Sequence, residues 1–167
     1  IKITLNYRTP NQLVMIINAI VIDPNALQRM DTVKKSNDHE SINLLAEFNS
    51  CIEANDFLIN TDVDLIFLEV DMTKISGFEF LDILDASNIT TPEIIITSKN
   101  TDHAFKSYSY SVIDYLAKPL NQELFDKSIQ KVLSKLNLSN IKKQTKESQH
   151  IFVKSNLKKR KVFIRDI

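Results

Sequence analysis

The chain has 167 residues, 43% hydrophobic and 25% charged, with a formal net charge of +0. That is enough apolar material for one packed domain plus a remainder, or for two small domains. No apolar stretch approaches the roughly 18 residues a membrane helix needs. Cys51 is the one cysteine, which excludes an internal disulfide.

Residues 1–12 are a polar, proline-containing lead-in, and residues 1–20 lack the segments of a signal peptide. A reducing cytoplasm is therefore the expected compartment. Val14 to Ile22 is a nearly uninterrupted apolar run rich in β-branched residues. It predicts a strand buried on both faces, hence a parallel sheet covered by helices. Asp23-Pro24-Asn25 is turn chemistry, and Asn25 can cap a helix with apolar positions Ala26, Leu27, Met30 and Val33.

Ile42 to Phe48 predicts a second strand. Asn49 or Ser50 then starts a helix through Ile52, Ala54, Phe57 and Leu58. Leu65 to Val70 is the third strand, and Phe78 to Leu84 its helix. Pro92 precedes a fourth strand at residues 94–97, followed by a short helix near His103 to Tyr108. Val112 to Leu116 is the fifth strand, ended by Pro119. A last helix from about Gln122 to Leu136 puts Leu124, Phe125, Ile129, Val132 and Leu136 on one face.

Residues 137–149 are polar and predict a linker. Beyond it, Ile151-Phe152-Val153 and Val162-Phe163-Ile164 flank the basic run Lys158 to Lys161, like the two strands of a hairpin. Charge is uneven along the chain: residues 1–136 carry 12 Lys/Arg against 19 Asp/Glu, and residues 137–167 carry 9 against 2. The tail, not the body, is the part suited to a polyanion, although from charge alone a solvated charged linker is the favoured account.

Strand–helix alternation repeated five times predicts a five-stranded, doubly wound parallel sheet of flavodoxin-like order, with a short hairpin-like tail. In such sheets chemistry sits beyond the carboxyl ends of the strands. The residues there are Asp23, Glu69, Ser98 and Lys118. The one glycine, Gly77, closes the loop after the third strand, eight places beyond Glu69, and opens the helix that follows.

This constellation resembles the receiver domain of two-component signalling over about residues 13–136. The resemblance implies a phosphoacceptor at position 69, where the family has Asp and this chain has Glu69. It implies an acidic pair at Asp23 and Pro24, of which only Asp23 is acidic. Asp71 falls where the family lends a backbone carbonyl to the metal. Ser98 and Lys118 fall where phosphoryl oxygens are held, and Tyr115 where an aromatic residue reports the state by changing its burial. Lys118-Pro119 resembles the family's Lys-Pro, a bond often cis. With one carboxylate lost and another moved by a methylene, Asp23, Glu69 and Asp71 imply at most a weak Mg²⁺ site, or no cofactor. A glutamate beside a poor metal site is a poor phosphoacceptor. Its charge instead imitates an aspartyl phosphate, and an ion pair between Glu69 and Lys118 is expected.

Asp114 to Leu120 looks most like receivers joined to LytTR DNA-binding domains, and residues 150–167 resemble the incomplete opening of such a domain, which implies a truncated chain. The expected role is a signalling module, not an enzyme: a degenerate receiver regulating transcription. Its implied partners are a sensor histidine kinase, unless that link was lost with the acceptor, DNA through the missing output domain, and a second copy through residues 105–136. No membrane partner is expected. A genuine phosphoacceptor, and a flavodoxin-like binding protein or enzyme, are the alternatives. The second lacks a glycine- or hydroxyl-rich loop at Asp23-Pro24-Asn25. His39, His103 and His150 lack ligand spacing, so they predict no metal centre.

Overall fold

The computed structural model describes residues 15–87, 91–148, 150–155 and 158–163. The lead-in at 1–12, Gln149 of the linker, and the end at Ile164 and Asp166-Ile167 lie outside the described residues. The elements run β1 (Ile17–Ile22), α1 (Ala26–Asp38), β2 (Ile42–Phe48), α2 (Cys51–Asn60), β3 (Leu65–Leu68) and α3 (Gly77–Ala86). They continue as β4 (Glu93–Ser98), α4 (His103–Ser107), β5 (Asp114–Ala117), α5 (Gln122–Ser148), β6 (His150–Ser155) and β7 (Lys158–Phe163). The chain divides into two units, Ile1–Val132 and Leu133–Ile167.

In the first unit the strands pair in the order β2-β1-β3-β4-β5, every neighbouring pair parallel. Position in the sheet explains each strand's composition. All four residues of β3 are buried, as are the last four of β1, because these central strands are covered on both faces. β2, at an edge, alternates half-buried and exposed. Phe125 of α5 is fully buried and stacks on Phe67 of β3, ring centroids 5.2 Å apart and planes 12° from parallel. Full burial of a phenylalanine contributes about 1.5–3 kcal/mol.

Helix starts follow from capping residues. The side chains of Asn25, Ser50 and Ser76 accept hydrogen bonds from the backbone N–H three residues on, at the heads of α1, α2 and α3. Ser76 and Glu79 complete a reciprocal capping box. The cap bond to Ser76 holds the Glu79 carboxyl below its usual range.

Four expectations change. The apolar residues of α1 do not face the sheet: Leu27 and Met30 are 79% and 64% exposed. Its buried positions are Thr32 and Ser36, whose hydroxyls donate to the carbonyls of Gln28 and Thr32. Small side chains satisfied by their own helix let α1 approach the sheet closely. Ile52 of α2 is likewise exposed. Leu124, placed on the inner face of α5, is half exposed. Finally, α5 continues through residues 137–148, where a linker was expected. That stretch has no glycine or proline and several Lys, Gln and Glu, so nothing stops the helix.

In the second unit β6 and β7 pair antiparallel, with Ile151 opposite Val162 and Val153 opposite Arg160. Among the described residues no helix is long and apolar enough to cross a membrane. Cys51 is buried, and burial pushes its thiol up to about 12. Only thiolate attacks alkylating reagents. Native protein at pH 8 should therefore resist iodoacetamide, and urea should release the reaction over the unfolding transition. Rapid labelling without urea would show that α2 opens locally.

Candidate functional site

The register of the sheet brings the strand ends into line. Ile22 stands opposite Leu68, Leu68 opposite Ile96, and Ser98 opposite Ala117. The residues that follow emerge side by side. The amide of Glu69 donates to the Ile22 carbonyl (2.9 Å), and that of Lys118 to the Ser98 carbonyl (2.9 Å).

Asp23, Glu69 and Lys118 meet in a closed pocket. Their side chains are 1%, 7% and 4% exposed. Lys118 Nζ donates to Asp23 Oδ2 and, at 2.8 Å, to Glu69 Oε2. Asp23 Oδ1 accepts from the Asn25 amide at 2.8 Å. Glu69 curls back, so that Oε1 accepts from the amides of Val70 (2.8 Å) and Asp71 (3.0 Å). Every carboxylate oxygen of the pair thus has a donor, as burial demands. The expected ion pair is present, with Asp23 as its third member.

Gly77 makes the curl sterically feasible. A Cβ there would lie 2.7 Å from the Glu69 carbonyl oxygen and 2.7 Å from Val70 Cα. Its φ is not positive, so the requirement is space rather than backbone conformation. Lys118-Pro119 is a cis bond.

The other expected residues sit around this core. Ser98 is fully buried, and its Oγ accepts from the Asn100 amide at 3.3 Å. The Tyr115 hydroxyl donates to the Asn100 carbonyl. Burial chiefly raises the Tyr115 phenol, with the carboxylates of Glu69, Asp71 and Asp102 adding and a hydrogen bond with Ser98 opposing. Asp71 points elsewhere: its Oδ1 is 2.7 Å from His103 Nε2.

Two contributors are not evident from sequence. Arg29 Nη1 donates to the Asp23 carbonyl at 2.7 Å, and Nε to Glu47 Oε2 at 3.2 Å. The available signal is that side chains lean toward a helix's N-terminus, which aims a residue one turn beyond Asn25 back at the loop. His103 carries no sequence signal, because its partner is 32 residues away.

The donor set does not suit a magnesium ion, which needs near-octahedral oxygens. Among the described residues no group of three His, Cys, Asp or Glu could hold a metal. The side-chain oxygens of Asp23 and Glu69 are committed to Lys118 and backbone amides. The arrangement can instead hold a fixed charge pattern of two carboxylates around one ammonium.

The profile of the family described as "Response regulator receiver domain" matches residues 19–130. An uncharacterized response regulatory protein of Vibrio cholerae is 26% identical over 117 residues, covering 70% of this chain and 48% of that protein. The transcriptional regulatory protein BtsR of Escherichia coli K12 is 24% identical over 113 residues, covering 68% of this chain and 46% of its own length. The chain therefore spans about half the length of these curated relatives. Among solved structures, the response regulatory domain of mrkE from Klebsiella pneumoniae aligns with TM-score 0.67 at 19% identity, over 73% of this chain and 99% of that one. The receiver domain of AraT from Geobacillus stearothermophilus aligns with TM-score 0.66 at 19% identity, over 75% and 99%.

Proposed function

This chain belongs to the response regulator receiver domain family, and we propose that within it the chain is a pseudo-receiver, held in one state by Glu69 in place of a phosphorylated aspartate. One observation carries the reading. The Glu69 carboxylate takes hydrogen bonds from the Val70 and Asp71 amides and from Lys118. Of these donors, Lys118 stands at a position that the family resemblance assigns to phosphoryl oxygens; Ser98, the other such residue, accepts from the Asn100 amide instead. A permanent anion there does without a donor, a metal or a turnover step.

Enclosure makes the arrangement durable. Hydrogen bonds to ionised groups are roughly twice as strong as neutral ones, and exclusion of water weakens screening. Phosphoryl transfer needs in-line positioning and a metal to neutralise charge. With Lys118 between Asp23 and Glu69, the pocket is arranged around an ammonium.

The output assigned to this module is transcription control through a LytTR DNA-binding domain. The name of the BtsR relative, a transcriptional regulatory protein, supports the control of transcription, and the LytTR output rests on the resemblance of residues 150–167. Residues 105–136 are proposed to pair two copies, and a histidine kinase is proposed as the ancestral input.

Acetyl phosphate with Mg²⁺, followed by intact-mass and peptide mass spectrometry, tests the reading. The expected result is no phosphoryl adduct at any residue of the pocket. Stoichiometric modification of Glu69 would overturn it.

A further inference from the structure

The helix α4 is five residues long and has no side-chain cap at Asp102. A helix this short does not stand alone in water. What fixes it is a pair of contacts from either side of Gly77. On one side, Asp71 Oδ1 meets His103 Nε2 at 2.7 Å. On the other, the ring of Phe78, the second residue of α3, is approached from three directions. His103 meets it edge-on at 5.6 Å and 68°, Tyr110 packs at 5.2 Å, and Lys106 Nζ stands 4.3 Å from its centroid. The Asp82 carboxylate of α3 also lies near enough to the Tyr110 phenol to raise it, after burial, and Glu79 lies within electrostatic reach of Lys106.

We propose that Asp71 and Phe78 form a two-point clamp that sets the place of α4, so that movement of the Glu69–Gly77 loop is passed directly to that helix. The clamp adjoins the pocket at Asp71, whose side chain meets His103 while its backbone amide donates to Glu69 Oε1 at 3.0 Å. It matters because α4 carries Phe105, 85% exposed, and is ended by Tyr108, 87% exposed. Their presentation to any partner follows the placement of this short helix. The phosphate-independent link from loop to helix therefore runs through His103 and Lys106, side chains whose partners are already in reach.

Hydrogen exchange of the full chain tests this at the amides of Tyr108, Ser109 and Tyr110, which bond the carbonyls of Phe105, Lys106 and Ser107. Asp71→Ala and His103→Ala are each expected to speed exchange at these amides about threefold, the scale of losing one partly exposed hydrogen bond. The double variant should be no faster than the faster single. His103→Gln, whose amide can still donate to Asp71, should return toward the parental rate. Exchange at the Val70 amide reports on the pocket separately and should stay slow throughout. Parental rates at residues 108–110 in both single variants, or a double variant equal to the product of the singles, would overturn the clamp.

Discussion

Lys118→Ala is expected to lower the unfolding free energy by about 3–5 kcal/mol, the scale of removing one member of a buried ion pair. Lys118 is the ammonium that Asp23 and Glu69 share in a pocket almost closed to water. Without it, two buried carboxylates face each other with only backbone amides for company. The loss is chiefly the cost of stranded charge, not the worth of the bonds themselves. That distinction is measurable. Lys118→Met combined with Asp23→Asn and Glu69→Gln removes all three charges and should recover most of the stability, because neutral replacement of a buried charged group is often close to neutral. Urea denaturation of the single and triple variants decides the matter. If Lys118→Ala costs under about 1 kcal/mol, the pocket is wetter than its geometry indicates.

The second large effect is expected at Gly77. Exchange of glycine for alanine inside a helix ordinarily stabilises by about 1 kcal/mol. Here the added methyl meets the Glu69 carbonyl oxygen and Val70 Cα at 2.7 Å, and Val70 Cγ1 at 3.0 Å. The two closest atoms belong to the backbone and cannot swing aside. Gly77→Ala should therefore destabilise, by about 1–3 kcal/mol for overpacking a tight site. It should also displace the loop whose amides hold Glu69, and so speed exchange at Val70 and Asp71. An alanine variant more stable than the parent would show that α3 slides freely against the loop.

The architecture was legible because its signals are local. Runs such as Ile20 to Ile22 and Leu65 to Leu68 are apolar without alternation, the form taken by strands covered on both faces. Asn25 and Ser50 announced helix starts by their own hydrogen-bonding chemistry. The strand-end rule was enough to single out Asp23, Glu69 and Lys118, which the structure brings together. Long-range facts were not legible. The inward face of α1 belongs to Thr32 and Ser36, and hydropathy favours Leu27 and Met30. The resemblance groups Asp71 with the acidic pocket, yet its side chain is held by His103 of α4. The helical course of residues 137–148 was hidden by their polarity, which marks exposure more reliably than it marks loops.

Pro24 follows Asp23 directly, in the place where the family resemblance asks for a second acid. A single base change could convert Glu69 to aspartate, but proline and aspartate codons differ at more than one base. Shortening the side chain at 69 alone would loosen its grip on Lys118 without supplying the missing carboxylate. Restoring the family pattern therefore takes changes at both positions, and on the proposed reading neither change is sufficient by itself.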